Sequence, residues 1–240
     1  MQKQEIGAKF ARVNMLAPPR ARLSVEVVLD LVCPWCRLGT NRLMRTLQAR
    51  PDLSCEISWR AFLLNPDMPR AGVGARDYMV RKFGSEERAR RLYHSLTELG
   101  RAEGMTFRFD RIQRTPSSVD AHRLVRWAAG FGRAAPMVEA LFSAYFHDGR
   151  DIGDSAVLTE LAEAAGLDAA EAHAFLLGDA GVDAVHADNL RAHRLGITGV
   201  PCFVVADRHA IAGAQEPEVI ERLLDVAAVE AMESLGFDAG

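Results

Sequence analysis

The spacing of apolar and polar residues changes character twice along this chain. Near the N-terminus, two short apolar runs, the first dense in β-branched residues, are typical of buried strands, and apolar residues recur at helical spacing between them. In order, this part predicts a strand over 23–32, a helix over 34–49, a strand over 53–64 and a loop over 65–74. Strand, helix and strand in this order indicate an α/β unit.

The middle of the chain, from about residue 75 to 177, keeps the helical period throughout. Capping signals divide this block into several helices. These signals open the segments 85–88, 117–129, 154–167 and 168–178. The pattern therefore predicts an all-α block.

The C-terminal part returns to the α/β pattern. It predicts a helix over 182–195, a strand over 202–206, a tight turn at Asp207 and Arg208, a strand over 209–213 and a final amphipathic helix. The two strands should pair antiparallel because the turn between them is short. The predicted fold class is α/β, one domain split by an all-α insertion. Its parts are a loose arm over 1–22, a first α/β part over 23–74, the insertion over 75–178 and a second α/β part over 179–240.

The composition of the chain limits its possible binding partners more than it limits the fold. The chain has 240 residues, 49% of them hydrophobic and 25% charged, with a net charge of −3. That charge predicts no nucleic-acid partner, and no apolar run approaches the ~18 residues of a membrane span. The N-terminal sequence lacks the features of a signal peptide. We therefore expect a cytoplasmic protein with no membrane partner, either a monomer or a homodimer, starting at Met1 or Met15.

The strongest chemical signal is the sequence CPWC, in which Cys33 and Cys36 flank Pro34 and Trp35. Proline is favoured at the first position of a helix, so Pro34 places Cys33 at the N-cap, in the positive end of the helix dipole. Such a position lowers the pKa of a thiol. The spacing predicts an exposed, activated Cys33 that caps the helix, with a more buried Cys36 behind it, as thiol–disulfide exchange requires. Trp35 should contribute to the docking surface.

The same pair of cysteines could instead be half of a zinc site or an inert pair in a core, and both alternatives stay open. A zinc site needs two further ligands at suitable spacing. Cys55 lies on a predicted strand with no cysteine or histidine near it, and Cys202 stands alone. Because there is also no second CxxC, we expect no metal.

Three positions outside the pair are candidates for supporting roles. Pro201, in the stretch GVP, marks a loop-to-strand boundary and is a candidate for a cis peptide bond after Val200. Asp30 is either a buried proton acceptor for the cysteines or a structural cap. His122 either faces the cleft or has only a structural role in its helix.

CPWC after a strand, with GVP before a late hairpin and helix, resembles the thioredoxin-fold DsbA family. More closely, the stretches DLVCPWCRLG, FLLNPDMP, DAHRL, ALFSAYFHDGRDIGD and GITGVPCFVVADRHAIAGAQEPEV resemble its FrnE-like subgroup, over about residues 24–228. The resemblance implies a thioredoxin fold interrupted by a helical domain. It also implies that Cys33 is the nucleophile and Cys36 the resolving thiol. Pro201 matches the cis-proline that faces them, and the Val200 backbone would hold an extended partner.

The resemblance implies a dithiol–disulfide oxidoreductase that needs no cofactor, acts on protein or small-molecule thiols and disulfides, and takes glutathione as a redox partner. One alternative is a glutathione-dependent isomerase or transferase acting on a polyketide-like or aromatic small molecule, although the intact CPWC argues against it. Another is a redox-regulated holdase. Two departures from the family are Cys202, where threonine or an apolar residue is common, and Ser117 with Ser118, where asparagine is common.

Overall fold

The chain begins and ends with α/β elements and carries a run of helices between them. The computed structural model describes residues 22–234. The strands are β1 (Arg22–Leu29), β2 (Ser54–Ala61), β3 (Val73–Gly74), β4 (Arg114–Thr115), β5 (Cys202–Val205) and β6 (His209–Ala212). The α-helices are α1 (Pro34–Ala49), α2 (Ala75–Phe83), α3 (Glu86–Ala102), α4 (Val119–Ala129), α5 (Ala134–Ser143), α6 (Ser155–Ala164), α7 (Ala169–Leu177), α8 (Val182–Arg194) and α9 (Pro217–Ser234). The predicted arm over 1–22 lies outside the described residues, except for Arg22.

Four strands form one sheet in the order β2-β1-β5-β6. β1 and β2 are parallel and are joined by α1, whereas β5 pairs antiparallel with both β1 and β6. The predicted antiparallel hairpin is thus confirmed, and its turn holds Ala206 and Asp207 at positive φ angles of 53° and 56°. The predicted N-terminal strands extended too far, because apolar residues such as Leu31 and Leu63 are buried just beyond the strand ends.

Helices cover both faces of the sheet. Successive residues of a strand point to opposite faces, and β1 shows this with two neighbouring valines. Val27 belongs to the core cluster that includes Ile220 and Leu224 of α9, whereas Val28 packs with Ala192 of α8. A strand buried on both sides explains why this segment is apolar rather than alternating.

The insertion holds three short elements besides its α-helices. β4 pairs antiparallel with β3, which lies just before the insertion, Phe109–Arg111 forms a 3-10 turn, and Ala144–Asp148 forms a π-helical turn. Elements this short leave no periodicity in the sequence, so the all-α prediction missed them. The predicted capping signals are confirmed at α3, α6 and α7, where Ser85, Asp154 and Asp168 accept backbone N–H bonds. Within residues 22–234, no helix combines the length and apolarity needed to cross a bilayer.

Candidate active site

The two cysteines of CPWC lie at the junction between β1 and α1. A short turn after the strand brings the Cys33 N–H to the carbonyl of Asp30, at 3.1 Å. Cys33 is the N-cap residue, with an extended backbone (φ −94°, ψ 116°), and Pro34 begins the helix as predicted. The Cys33 carbonyl accepts the N–H groups of Cys36 and Arg37 at 3.0 and 3.2 Å. Both cysteines therefore flank the first turn of α1, and both are free thiols.

The Cys33 side chain departs from the prediction in two respects. It is buried, with 4% of its surface exposed, rather than exposed. It also makes no capping hydrogen bond to the helix, because its Sγ lies 3.7 Å from the carbonyl oxygen of Val200. The loop that ends at Pro201 covers the sulfur, and the Val200–Pro201 peptide bond is cis, as the sequence predicted. The N-cap position of Cys33 could not predict that this loop covers the sulfur, because the loop comes from a distant part of the chain.

Cys36 lies beneath Cys33 and has no exposed surface. Its Sγ accepts the backbone N–H of Asp30 at 3.5 Å. Burial raises the pKa of the Cys36 thiol well above its ordinary value, and the neighbouring Cys33 sulfur raises it further. This agrees with the prediction of a shielded second thiol. The Cys36 thiol is therefore protonated at neutral pH.

Asp30 connects the turn before α1 to the segment after β2. Its buried carboxylate accepts the N–H of Leu64 at 2.8 Å and that of Val32 at 3.3 Å, which is the structural role that the sequence offered as one alternative. His122, only 3% exposed, lies beside it, with Nε2 3.6 Å from Asp30 Oδ1. In the part of the chain described, that nitrogen has no hydrogen-bond partner. His122 thus lies inside the protein, next to the carboxylate nearest the thiol pair, rather than in an open cleft.

Trp35 is the exposed member of the CPWC motif. With 38% of its surface accessible, it lies on the protein surface between two buried cysteines. The sequence predicted a surface position for Trp35 on the premise of an exposed Cys33; Trp35 is exposed although Cys33 itself is buried. The role of Trp35 in docking a partner stays a prediction.

Gly39 is a residue of the site that the sequence analysis missed. A Cβ at this position of α1 would lie 2.7 Å from Pro201 Cγ and 3.2 Å from both Ala214 Cα and the Phe203 ring. Only glycine lets the proline loop approach the helix this closely. The signal in the sequence was a glycine inside a strongly periodic helix, which often marks a close approach.

The remaining cysteines belong to other packing environments than the pair. Cys202 is buried among Val28, Phe62 and Ala192 on the α8 side of the sheet, consistent with a small buried residue, and burial raises its pKa. Cys55 is half-buried on β2. Among residues 22–234, no group of three or more histidine, cysteine, aspartate or glutamate side chains is placed to hold a metal ion.

Comparison with known proteins agrees with this architecture. The family model for the DSBA-like thioredoxin domain matches residues 24–225, and the chain belongs to that family. The fold is a DsbA-like thioredoxin fold with a helical insertion. A probable DsbA oxidoreductase from Streptomyces coelicolor is 33% identical, with 91% of this chain and 92% of that chain covered and a TM-score of 0.77.

Two more distant structures share the fold. A 2-hydroxychromene-2-carboxylate isomerase is 16% identical, over 90% of this chain and 100% of that chain, with a TM-score of 0.66. The cytosolic disulfide reductase DsbM from Pseudomonas aeruginosa, solved with glutathione, is 21% identical, over 89% of this chain and 100% of that chain, with a TM-score of 0.60. The same fold therefore serves both disulfide chemistry and isomerisation.

Proposed function

We propose that this protein is a dithiol–disulfide oxidoreductase that works through Cys33 and Cys36. The observation that carries the proposal is the placement of two free thiols at the first turn of α1, one fully enclosed and the other against the Val200 carbonyl. Thiol–disulfide exchange needs an attacking sulfur and a second sulfur within reach of the mixed disulfide. The family supports the same general chemistry.

In the reductive direction, the Cys33 thiolate attacks one sulfur of a substrate disulfide. A Cys33–substrate disulfide forms, and the other substrate sulfur leaves as a thiolate. Cys36 then loses its proton and attacks Cys33 Sγ, so that the second substrate thiolate leaves and a Cys33–Cys36 disulfide remains. Two electrons pass from the pair to the substrate, and two thiols, for example two molecules of glutathione, reduce the pair again. In the oxidative direction every step runs in reverse.

The surroundings of Cys33 suit a partner with an extended backbone. The Val200 carbonyl oxygen lies 3.7 Å from the Cys33 sulfur and Trp35 is exposed within the same motif, and backbone groups beside a reactive sulfur can bind an extended peptide by strand-like hydrogen bonds. Such binding does not depend on sequence, so protein disulfides and glutathione are both suitable partners. The chemistry requires no metal or other cofactor.

The test is a redox titration of the pair against glutathione, followed by assays of insulin reduction and disulfide isomerisation. We expect Cys33→Ser to abolish exchange and Cys36→Ser to accumulate mixed disulfides. Cys55→Ser, which removes a half-buried thiol outside the pair, is the matched control and should keep full activity. Iodoacetamide at neutral pH should modify Cys33 before Cys36. Full exchange by Cys33→Ser would overturn the proposal.

The same variants separate the two alternatives. A holdase acting through the helical insertion would protect unfolding clients equally well in Cys33→Ser. A glutathione-dependent isomerase, suggested by the shared fold of the 2-hydroxychromene-2-carboxylate isomerase, would turn over an aromatic substrate without net change in the Cys33–Cys36 redox state. The presence of a thiol at both ends of the CPWC motif favours the oxidoreductase over the isomerase, and the client-protection assay separates it from the holdase.

A further inference from the structure

His122 of α4 is a buried histidine with one ring nitrogen left unpaired. Only 3% of its surface is exposed, and its Nε2 atom makes no hydrogen bond within the part of the chain that the structure describes. Buried polar atoms in proteins are nearly always hydrogen-bonded, so an exception calls for an explanation. Histidine is also the side chain that most readily gains or loses a proton near neutral pH. The position of His122 therefore suits a group that takes up a proton.

The unpaired nitrogen faces the carboxylate of Asp30. Nε2 lies 3.6 Å from Oδ1, which is too far for a hydrogen bond but close enough for an ion pair. Both carboxylate oxygens are already engaged, because Oδ1 accepts the Val32 N–H and Oδ2 accepts the Leu64 N–H. Hydrogen bonds of this kind favour the charged carboxylate. Of the two side chains, His122 is thus placed to hold a proton and Asp30 to balance its charge.

The same aspartate contacts the resolving thiol. Its backbone N–H donates to Cys36 Sγ at 3.5 Å. Burial and the Cys33 sulfur raise the pKa of Cys36 most, and the negative charge of the Asp30 carboxylate raises it further. A thiolate at Cys36 would be a second negative charge in the interior beside the carboxylate, and an uncompensated buried charge is strongly unfavourable. The thiolate needed for resolution therefore forms most easily if a positive charge appears next to Asp30 at the same time.

We propose that His122 holds the proton that Cys36 releases when it resolves the mixed disulfide. The inference deepens the proposed function and rests on it. The proton leaves Cys36 and stays on His122 Nε2, and the Cys36 thiolate attacks Cys33 Sγ. The Cys33–substrate bond breaks, and the substrate sulfur leaves as a thiolate with the electron pair of that bond. His122 touches neither sulfur, so it is a positioning residue that acts through Asp30.

This arrangement keeps the net charge of the interior constant during the transfer. A charged carboxylate, a neutral imidazole and a neutral thiol sum to one negative charge. After the transfer, carboxylate, imidazolium and thiolate sum to the same value, so no uncompensated charge is created. The extent of the transfer does not depend on the proton concentration in solution as long as the three groups share one proton. Resolution through His122 should therefore be nearly independent of pH over that range.

The other ionisable groups around these residues do not titrate between pH 7 and 9. Cys33 carries no proton in the mixed disulfide. The Asp30 charge also reaches Tyr78 of α2 and Tyr145, and burial raises the pKa of both phenols above the ordinary value of about 10. Every other charged side chain of α4 is in an ion pair, namely Asp120 with Arg123, and Arg126 with Asp188 of α8. A pH dependence of resolution in this range therefore reports on Cys36 and the Asp30–His122 pair.

The test follows the two thiols separately with one equivalent of the aromatic disulfide DTNB, in reduced full-length protein carrying Cys55→Ser. Attack by Cys33 releases one thionitrobenzoate, and resolution by Cys36 releases a second, both read by stopped-flow absorbance. In the unmodified pair, the second phase should change less than about threefold from pH 7 to 9. In His122→Asn it should be at least about tenfold slower at pH 7 and rise about tenfold per pH unit, because Cys36 then loses its proton only to solvent.

Two controls separate this role from a structural one. His173→Asn, which changes an exposed histidine of α7, should leave both phases within about twofold. The first phase of His122→Asn should also stay within about twofold, because attack by Cys33 does not involve the Asp30–His122 pair. The difference in the second phase should shrink as the pH rises toward 9, since hydroxide replaces the missing base but does not repair a distorted site. His122→Gln, a second neutral replacement, should give the same profile.

Several outcomes would overturn the inference. One is a second phase that rises about tenfold per pH unit in the unmodified pair, which requires no variant to fold. Another is an unchanged second phase in both His122→Asn and His122→Gln. Equal slowing of both phases with no change in pH slope would also overturn it, because that result indicates a structural role. Absence of the first phase in the unmodified pair would instead overturn the proposed function, and this inference with it.

Discussion

The thiol site and the insertion cavity show two opposite uses of packing. Around Cys33 and Cys36, a helix, a turn and a proline loop close on each other until both sulfurs are buried. Around Tyr93 and Phe109, α3 and the segment that folds back onto it leave an open cavity of about 600 Å³ in the helical insertion. Each region has a glycine that permits the close approach: Gly39 admits a loop, and Gly100 an aromatic ring. The same residue type therefore serves to close one region and to shape the other.

The difference extends to charge. The carboxylate beside the thiols is fully buried and its oxygens accept two backbone N–H bonds, whereas Arg90 in the cavity wall has no partner within the described residues. A buried polar group needs hydrogen-bond partners within the protein, whereas an exposed one can be satisfied by water or a ligand. The buried carboxylate therefore fixes the backbone around the thiols, and the exposed guanidinium is available to bind.

The largest effect should come from breaking the contact of α1 with the end of α3 and with the segment after β6. Arg42 of α1 is 2% exposed, and it donates to Glu103 at 2.8 Å and to the Ala214 carbonyl at 2.7 Å. Arg42→Met leaves a partly buried carboxylate unpaired, which should cost about 3 kcal/mol in the free energy of unfolding. The exposed Arg45 on the same helix is the control, and Arg45→Met should change stability by less than about 0.5 kcal/mol. Equal losses measured by urea unfolding would contradict this expectation.

The second effect concerns pH and the thiol site alone. Since burial raises the Cys36 pKa above its unfolded value, the folded state keeps a proton that the unfolded state loses above about pH 8.5. The resulting stability is fully present below that pH and is lost as pH rises toward the folded pKa, by at most about 1.4 kcal/mol per pH unit. The free energy of unfolding of the reduced protein, measured in urea from pH 8 to 10, should therefore fall more steeply than that of Cys36→Ala. Parallel curves would show that the thiol is not shielded.

The third prediction distinguishes the role of Gly39 from that of Gly100. In Gly39→Ala, overpacking against Pro201 and Ala214 costs about 1–3 kcal/mol, while alanine gains about 1 kcal/mol in helix propensity. We expect a net destabilisation of about 1 kcal/mol. Disulfide exchange should slow because the proline loop can no longer reach Cys33 in the same position. Urea unfolding and the rate of exchange measure the two effects, and an unchanged rate would show that the position of the loop does not depend on Gly39.

Gly100→Ala should destabilise the protein about as much as Gly39→Ala but leave disulfide exchange unchanged. The atoms in the way belong to the Phe107 ring, which is 3% exposed, so overpacking costs about 1–3 kcal/mol, partly offset by the roughly 1 kcal/mol that alanine gains in helix propensity. Exchange should keep its rate because the added Cβ meets Phe107 and Met105 rather than the proline loop. Slower exchange in Gly100→Ala, measured beside Gly39→Ala, would indicate that the two regions are not independent.

Local signals in the sequence predicted most of the fold. Pro34 predicted the start of α1, and three predicted caps begin their helices because a cap depends on residues only a few positions apart. The split of the α/β unit by helices followed from the change of period. The short pairing of β3 with β4 was missed because two residues carry no period.

Long-range contacts account for what the sequence did not predict at the site. Cys33 was expected to be exposed because its own helix would leave it so, but the loop at Val200, more than 160 positions away, covers it. The closeness of Asp30 and His122 likewise depends on how α4 packs against the turn before α1. The insertion cavity required knowledge of where the chain after α3 returns. None of these contacts has a periodic or local signature.

The hairpin turn after β5 has a consequence for how this sequence can vary. Ala206 adopts a left-handed backbone that costs an alanine about 1 kcal/mol, at the opposite end of the strand from Pro201. Replacement by glycine or asparagine would relieve that cost. The stability gained in this way is comparable to the loss of about 1 kcal/mol expected from Gly39→Ala near the thiols. Substitution at this turn is therefore a compensating route by which a lineage, or a protein engineer, could alter the active site while keeping the fold intact.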